Sequence, residues 1–232
     1  MNRPAAAVRA TAAGIGISYG AVLYFAGVRL DGDIKRILAY LPSLAVLILV
    51  IWDTFLWRLP LLWRSTARPR IDGLWSVVLH PTAESHIPEG GDRGPIEAFA
   101  AISQTYWSVS VRLLTRESMS LTRSHFWDRT NGSDTEWLTF VYDNSPMQRH
   151  RARSARHLGT CSLRPGNRRP STMAGTYFTD RYTQGDMTFQ LVGRDTGVAS
   201  FDEAAAKAEE IDKDGRCKEG GRLNRILFFW RK

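Results

Sequence analysis

Two uncharged hydrophobic runs occupy the start of this chain, Ala10 to Val28 and Ile37 to Trp52, and nothing like them recurs afterwards. A helix needs about twenty apolar residues to cross a bilayer, so both runs predict transmembrane helices, at about 10–28 and 37–57. A cleavable signal peptide fits the first run less well, because the run exceeds the usual apolar core of about 7–15 residues. Tyr19, Tyr24, Tyr40, Trp52, Trp57 and Trp63 lie toward the run ends, where aromatic rings favour the headgroup level. Arg3 and Arg9 precede the first run, and Arg58, Arg64, Arg68 and Arg70 follow the second. By the positive-inside rule both termini are expected in the cytoplasm of a multi-pass membrane protein in contact with lipid. Ala12, Gly16 and Gly20 recur every four residues, a small-residue stripe suited to close helix packing within or between chains. Asp53 is expected to reach the interface.

From Ile71 the hydrophobic period changes to alternation. Trp75, Val77 and Leu79 share a face, as do Trp107, Val109, Val111 and Leu113. Met119, Leu121, His125 and Trp127 mark a third strand, and Leu138, Phe140 and Tyr142 a fourth. Leu158–Leu163, Met173–Asp180 and Asp186–Val192 follow, with Leu223–Trp230 as an eighth. Short alternating strands divided by turn residues predict a compact antiparallel up-and-down barrel, in which closure removes exposed edges. Trp75, Trp107 and Phe140 would fill its interior. His80–Pro95, rich in Pro and Gly, reads as a long loop that could cover a barrel mouth. Ser200 and Glu203 have capping-box spacing, so one short amphipathic helix is expected from there to Gly215, on the wall or plugging an end. The predicted organisation is a helical hairpin at 1–64, a basic linker at 65–70 and a cytosolic barrel domain at 71–232.

Chemistry-bearing residues favour binding over catalysis. The five histidines form no compact metal motif with one another or with Cys161 or Cys217, and neither a phosphate-binding loop nor a nucleophile elbow occurs. Neither an enzyme, a metal site nor a cofactor is expected. Two cysteines are too few for a disulfide framework. The net charge of +8 suits anionic partners. Arg149, Arg151, Arg153, Arg156, Arg164, Arg168 and Arg169 crowd one stretch, which fits either a phosphate site or a solvated loop near anionic lipid. Arg112 and Arg123 lie within strands among Tyr106, Trp107 and Trp127, and arginine beside an aromatic is a common way to hold a base and its phosphate. No nucleic-acid polymer is expected as a partner.

The two N-terminal runs, the linker Arg68-Pro69-Arg70 and the strand motifs Gly73-x-Trp75 (within Asp72-Gly73-Leu74-Trp75) and Gly175-x-Tyr177-x-Thr179-Asp180 carry a resemblance. The chain resembles the two-transmembrane, β-strand-rich effectors that accompany bacterial CD-NTase enzymes in CBASS anti-phage operons. The resemblance implies that a cyclic nucleotide, expected to be a dinucleotide, activates the protein by binding the barrel. It further implies homo-oligomerisation through the N-terminal helices, disruption of the inner membrane and abortive infection. On that reading Arg112, Arg123, Tyr106, Trp127 and Tyr177 hold the ligand, and Ala12, Gly16 and Gly20 serve oligomerisation. The alternatives are a membrane-tethered, lipocalin-like carrier of an apolar ligand and a structural anchor whose barrel binds a protein partner. Bulky inward residues argue against the carrier, which needs a hollow interior.

Overall fold

The computed structural model describes residues 3–25, 32–59, 62, 66, 68–87, 89, 91–129, 132, 136–152 and 154–218. The described residues fall into two units. One holds α1 (Arg3–Phe25), α2 (Gly32–Thr54) and the segment Gln104–Val109; the other holds the remaining strands and α3 (Phe201–Lys218).

In the helical unit α1 and α2 lie against each other. Among the described residues no helix is long and apolar enough to cross a membrane. This overturns the expected transmembrane hairpin and, with it, the multi-pass inner-membrane placement. The physical reason is visible in the side chains. Much of Ala10–Gly20 is Ala, Gly, Ser and Thr, uncharged residues that offer little apolar surface, and Arg9 lies one position before it. The expected second span, 37–57, includes the charged residue Asp53.

Asp53, near the end of α2, is fully buried rather than at an interface. Its carboxylate accepts the Trp107 N–H (3.1 Å), and its carbonyl accepts the Tyr106 N–H (2.9 Å) and the Trp57 indole N–H (3.1 Å). Trp52 and Trp57 meet the Tyr106 ring edge-on, and the Arg68 guanidinium lies over that ring while donating to the Tyr106 carbonyl at 2.7 Å. An aromatic cluster thus satisfies the polar groups at the end of α2.

The second unit is a closed antiparallel barrel of eight strands in sequence order. They are β1 (Gly73–Pro81), β2 (Ile96–Gln104), β3 (Val109–Thr115), β4 (Ser118–Asp128), β5 (Trp137–Pro146), β6 (His157–Arg164), β7 (Thr172–Thr179) and β8 (Gln184–Gly193). The expected barrel is present, but its second strand differs. Ile96–Gln104 shows no strand period in the sequence because both of its faces are covered: Ala98 through Ile102 are all buried, which erases alternation. Trp107 belongs to the β2–β3 connection rather than to a strand, and therefore fills no barrel interior. β8 closes on β1 with Val77 opposite Phe189, so closure does not require Leu223–Trp230, which lies outside the described residues.

Trp75, Val77, Phe140, Cys161, Leu163, Met187 and Phe189 are buried and alternate with more exposed neighbours along most of the strands. α3 packs on the outer wall and plugs neither end. Phe201 and Ala204 cover Leu74, Phe99, Ala101 and Leu114, with Ala205 and Ala208 alongside. Half of the expected capping box forms: the Glu203 N–H donates to Ser200 Oγ (3.2 Å), while the Glu203 carboxylate reaches one residue past the cap to accept the Ala199 N–H (2.7 Å). The helix continues through Gly215 to Lys218 instead of stopping, since an interior glycine weakens a helix without forbidding it.

Candidate ligand-binding site at the barrel mouth

The barrel is filled along most of its length and open at one end. Deep inside, Val111, Phe140, Cys161, Met187 and Phe189 leave a gap of only about 20 Å³. Cys161 Sγ lies 3.7 Å from Met187 Sδ, and burial pushes the Cys161 thiol well above its ordinary pKa. Above this packing, where β1, β3, β5 and β7 end, a cavity of about 380 Å³ opens. That size falls within the usual range for small-molecule sites, roughly 300–1,000 Å³.

Strand register puts the cavity's polar groups in order. Leu113, Ser120, Asn144 and His157 face one another across β3, β4, β5 and β6, and all four line the cavity. Next inward, Tyr142 of β5 pairs with Gly159 of β6, and Gly159 with Thr179 of β7. A Cβ on Gly159 would overlap the Tyr142 ring, so glycine is what lets that ring sit against β6. Tyr142 and Tyr177 are buried and border the cavity. Desolvation raises the pKa of both phenols, Tyr177 to about 12, so both hydroxyls stay protonated near neutrality.

One side of the mouth is basic. Arg181, in the β7–β8 turn, donates from Nη1 to Ser154 Oγ (2.9 Å) and to the Ala155 carbonyl (3.4 Å), and lies 3.4 Å from His157 Nδ1. His157 Nδ1 is 3.0 Å from the same carbonyl. Burial lowers the His157 pKa, the Ala155 carbonyl partly opposes this, and Arg181 adds to it. The opposite side is acidic, with Glu89 and Asp92 from the β1–β2 connection, Glu97 from β2 and Glu117 from the β3–β4 turn. Arg116 on that side is already engaged, 3.8 Å from Glu97 and over the Phe201 ring.

The connection after β1 does cover the mouth. Thr82 N–H and Ser85 Oγ–H both donate to the Gln184 carbonyl (2.9 and 2.5 Å), and the His86 N–H donates to the Tyr182 carbonyl (3.0 Å). From this anchored base Ile87, Glu89, Gly91 and Asp92 reach the cavity. The chain returns through Gly94, whose φ of +83° and a Cβ position 2.6 Å from Pro81 Cδ both demand glycine.

Of the five residues expected to hold a ligand, Tyr177 lines this cavity and the others do not. Arg112 lies on the outer-wall side of β3, alternating with Val111 and Leu113, and donates to the Thr196 carbonyl at 3.3 Å. Arg123 sits at a bulge in β4, between Thr122 and Ser124, and pairs with Asp143 (2.6 Å), which Arg156 also clamps. Trp127 pairs with Leu138 toward the other end of β4, and Tyr106 belongs to the helical unit. The arginine-rich stretch is dispersed. Arg156 holds Asp143, Arg164 covers the Trp137 ring, and the Arg168 carbonyl accepts the Arg70 N–H. On α1, Ala12 and Gly16 are half-buried and Gly20 is exposed. Sequence reasoning passed over Tyr142 and His157 as ligand-binding residues, and Asn144 and Arg181 altogether. The signal for Arg181 was close at hand, one position past Thr179-Asp180, and Asn144 continues the inward parity of Leu138, Phe140 and Tyr142.

Comparison with known families agrees with this geometry. The family described as "Cap15, cyclic dinucleotide receptor domain" matches residues 66–191, more than half of the chain, from before β1 into the last residues of β8. No curated protein matches the chain. With its fold and its open, polar mouth, the chain belongs to the Cap15 cyclic dinucleotide receptor family of CBASS effectors.

Proposed function

We propose that the cyclic dinucleotide enters the barrel mouth, with its phosphates toward Arg181 and His157 and a base against Tyr142 and Tyr177. The observation that carries this reading is the cavity itself, which joins buried aromatic rings to a basic edge in one concave space. The uneven rim fixes the orientation. A phosphodiester next to Glu89, Asp92, Glu97 and Glu117 would be repelled, whereas a guanidinium offers charge-assisted hydrogen bonds on the other side. Base stacking on an aromatic supplies roughly 1–3 kcal/mol per base. The near-absence of space below the tyrosines argues against an apolar cargo, and no catalytic role is assigned to any residue of the mouth.

We infer further that ligand occupancy promotes self-association of the helical unit, and that the assembled chains act on bilayers. Support comes from the exposed side chains of Ile15, Ile17, Val22, Leu44, Leu47 and Ile48, an apolar surface of the kind that marks interaction sites. A Cβ on Gly20 would meet nothing within 4 Å, so that glycine is not needed for packing inside one chain. Isothermal titration of the chain with cyclic di-AMP, cyclic di-GMP, cyclic GMP–AMP and cyclic di-UMP, followed by sedimentation with and without the tightest of them, tests both steps. Saturable binding with a ligand-dependent rise in mass is expected. Binding that persists after Tyr177→Ala and Arg181→Ala together would place the ligand elsewhere.

A further inference from the structure

Asn144 carries a vacancy in its hydrogen bonding. Its Nδ2 donates to Ser118 Oγ at 3.1 Å, and Ser118 is held in turn by the Thr115 hydroxyl, with the two oxygens 3.0 Å apart and the Ser118 N–H on Thr115 Oγ1 at 2.9 Å. The amide is therefore fixed by the β3–β4 turn. Its other atom, Oδ1, is buried and accepts no hydrogen bond. Buried acceptors are normally satisfied, and one left open inside a ligand-sized cavity points to a donor that arrives with the ligand.

We propose that Asn144 is a base-reading residue, whose Oδ1 accepts an N–H from the exocyclic amine of one nucleobase of the bound cyclic dinucleotide. This rests on the mouth being the ligand site. The neighbours fit the assignment. Asn144 stands in the polar row between Ser120 and His157, level with the rim rather than with the filled interior. Tyr142, two residues earlier on the same face of β5, is placed to support the base plane whose edge Asn144 meets. The phosphate-binding groups lie across the β6–β7 side, on Arg181 and His157, so base edge and phosphate are read by different strands. Because Asn144 offers an acceptor with its donor committed to Ser118, bases that bear an amine are favoured over uracil, which carries a carbonyl at the equivalent position.

The test measures affinity of the chain for the tightest member of the four-dinucleotide panel and for its counterpart in which each exocyclic amine is replaced by hydrogen. Wild-type chain is expected to prefer the amine-bearing ligand by roughly tenfold, the effect of leaving a buried acceptor unpaired. Asn144→Ala is expected to bind both equally. Ser118→Ala, which releases the amide while keeping Asn144, is expected to erode the preference and guards against a misfolded Asn144 variant. Cyclic di-UMP as the tightest ligand, an equal affinity of wild type for the two counterparts, or an unchanged preference in Asn144→Ala would each overturn the assignment. Failure of every dinucleotide to bind would instead overturn the mouth as the ligand site, and the base reading with it.

Discussion

At the scale of single residues, the arginines divide by what their partners leave open. Arg123 and Arg156 both close on Asp143, and Arg112 is turned to the outer wall, whereas Arg181 sits on the cavity edge. Arg181→Ala is therefore expected to weaken dinucleotide binding roughly tenfold to a hundredfold, the range for hydrogen bonds to charged groups, and Arg112→Ala to leave it within about twofold; titration calorimetry checks both. Asp143 gives a separate prediction in pH. Hydrogen bonds from Arg156 and then Arg123 lower its pKa from 3.8 to about 2. A carboxylate depressed in the folded state adds stability above its unfolded pKa and loses that contribution as pH falls through the folded value. Asp143→Asn is thus expected to melt below wild type at neutral pH, with the gap closing between pH 3.8 and about 2. A gap that stayed constant in thermal scans across that window would show that the two arginines do not depend on the charge.

Among the elements, α3 and β2 explain each other. Phe201 packs on Phe99 of β2 with ring centres 5.3 Å apart, and Ala204 is fully buried on the same wall. Phe201→Ala is expected to destabilise the barrel by about 3–5 kcal/mol, with affinity per folded molecule unchanged, because the contact lies outside the cavity. Urea unfolding monitored beside ligand titration separates the two effects. The same packing accounts for what the sequence concealed. Strands with one wet face, such as β7 with its strict buried–exposed alternation, were legible. β2, covered by the interior on one side and by α3 on the other, carried no period to read. Tyr177 was legible because it lay in a strand motif. Asn144 was not, because an asparagine in a strand gains meaning only when register sets it beside Ser120 and His157. Uncharged length is not the same as apolarity, and in α1 the difference lies in side-chain size.

For the molecule as a whole, the receptor barrel and the helical unit pose separable questions. Gly20→Leu is expected to abolish ligand-dependent self-association while leaving the dissociation constant of the cyclic dinucleotide unaltered. Analytical ultracentrifugation read beside calorimetry distinguishes this from a common defect. A loss of affinity in that variant would mean that the small residues of α1 support the ligand site itself.

The bulge at Arg123 has a consequence for how this barrel tolerates insertion and deletion. Before it, Ser120 faces the interior and Leu121 is exposed; after it, His125 and Trp127 pair with Phe140 and Leu138, and Phe126 is exposed. The extra residue shifts the parity of β4 halfway along. Deleting Arg123 would restore a regular ladder and leave His125 opposite Phe140 and Trp127 opposite Leu138, whereas a deletion elsewhere in the strand would exchange its two faces beyond that point. Length variation among relatives should therefore concentrate at this point in β4, where losing the bulge residue forfeits the Arg123–Asp143 pair but keeps the register on both sides.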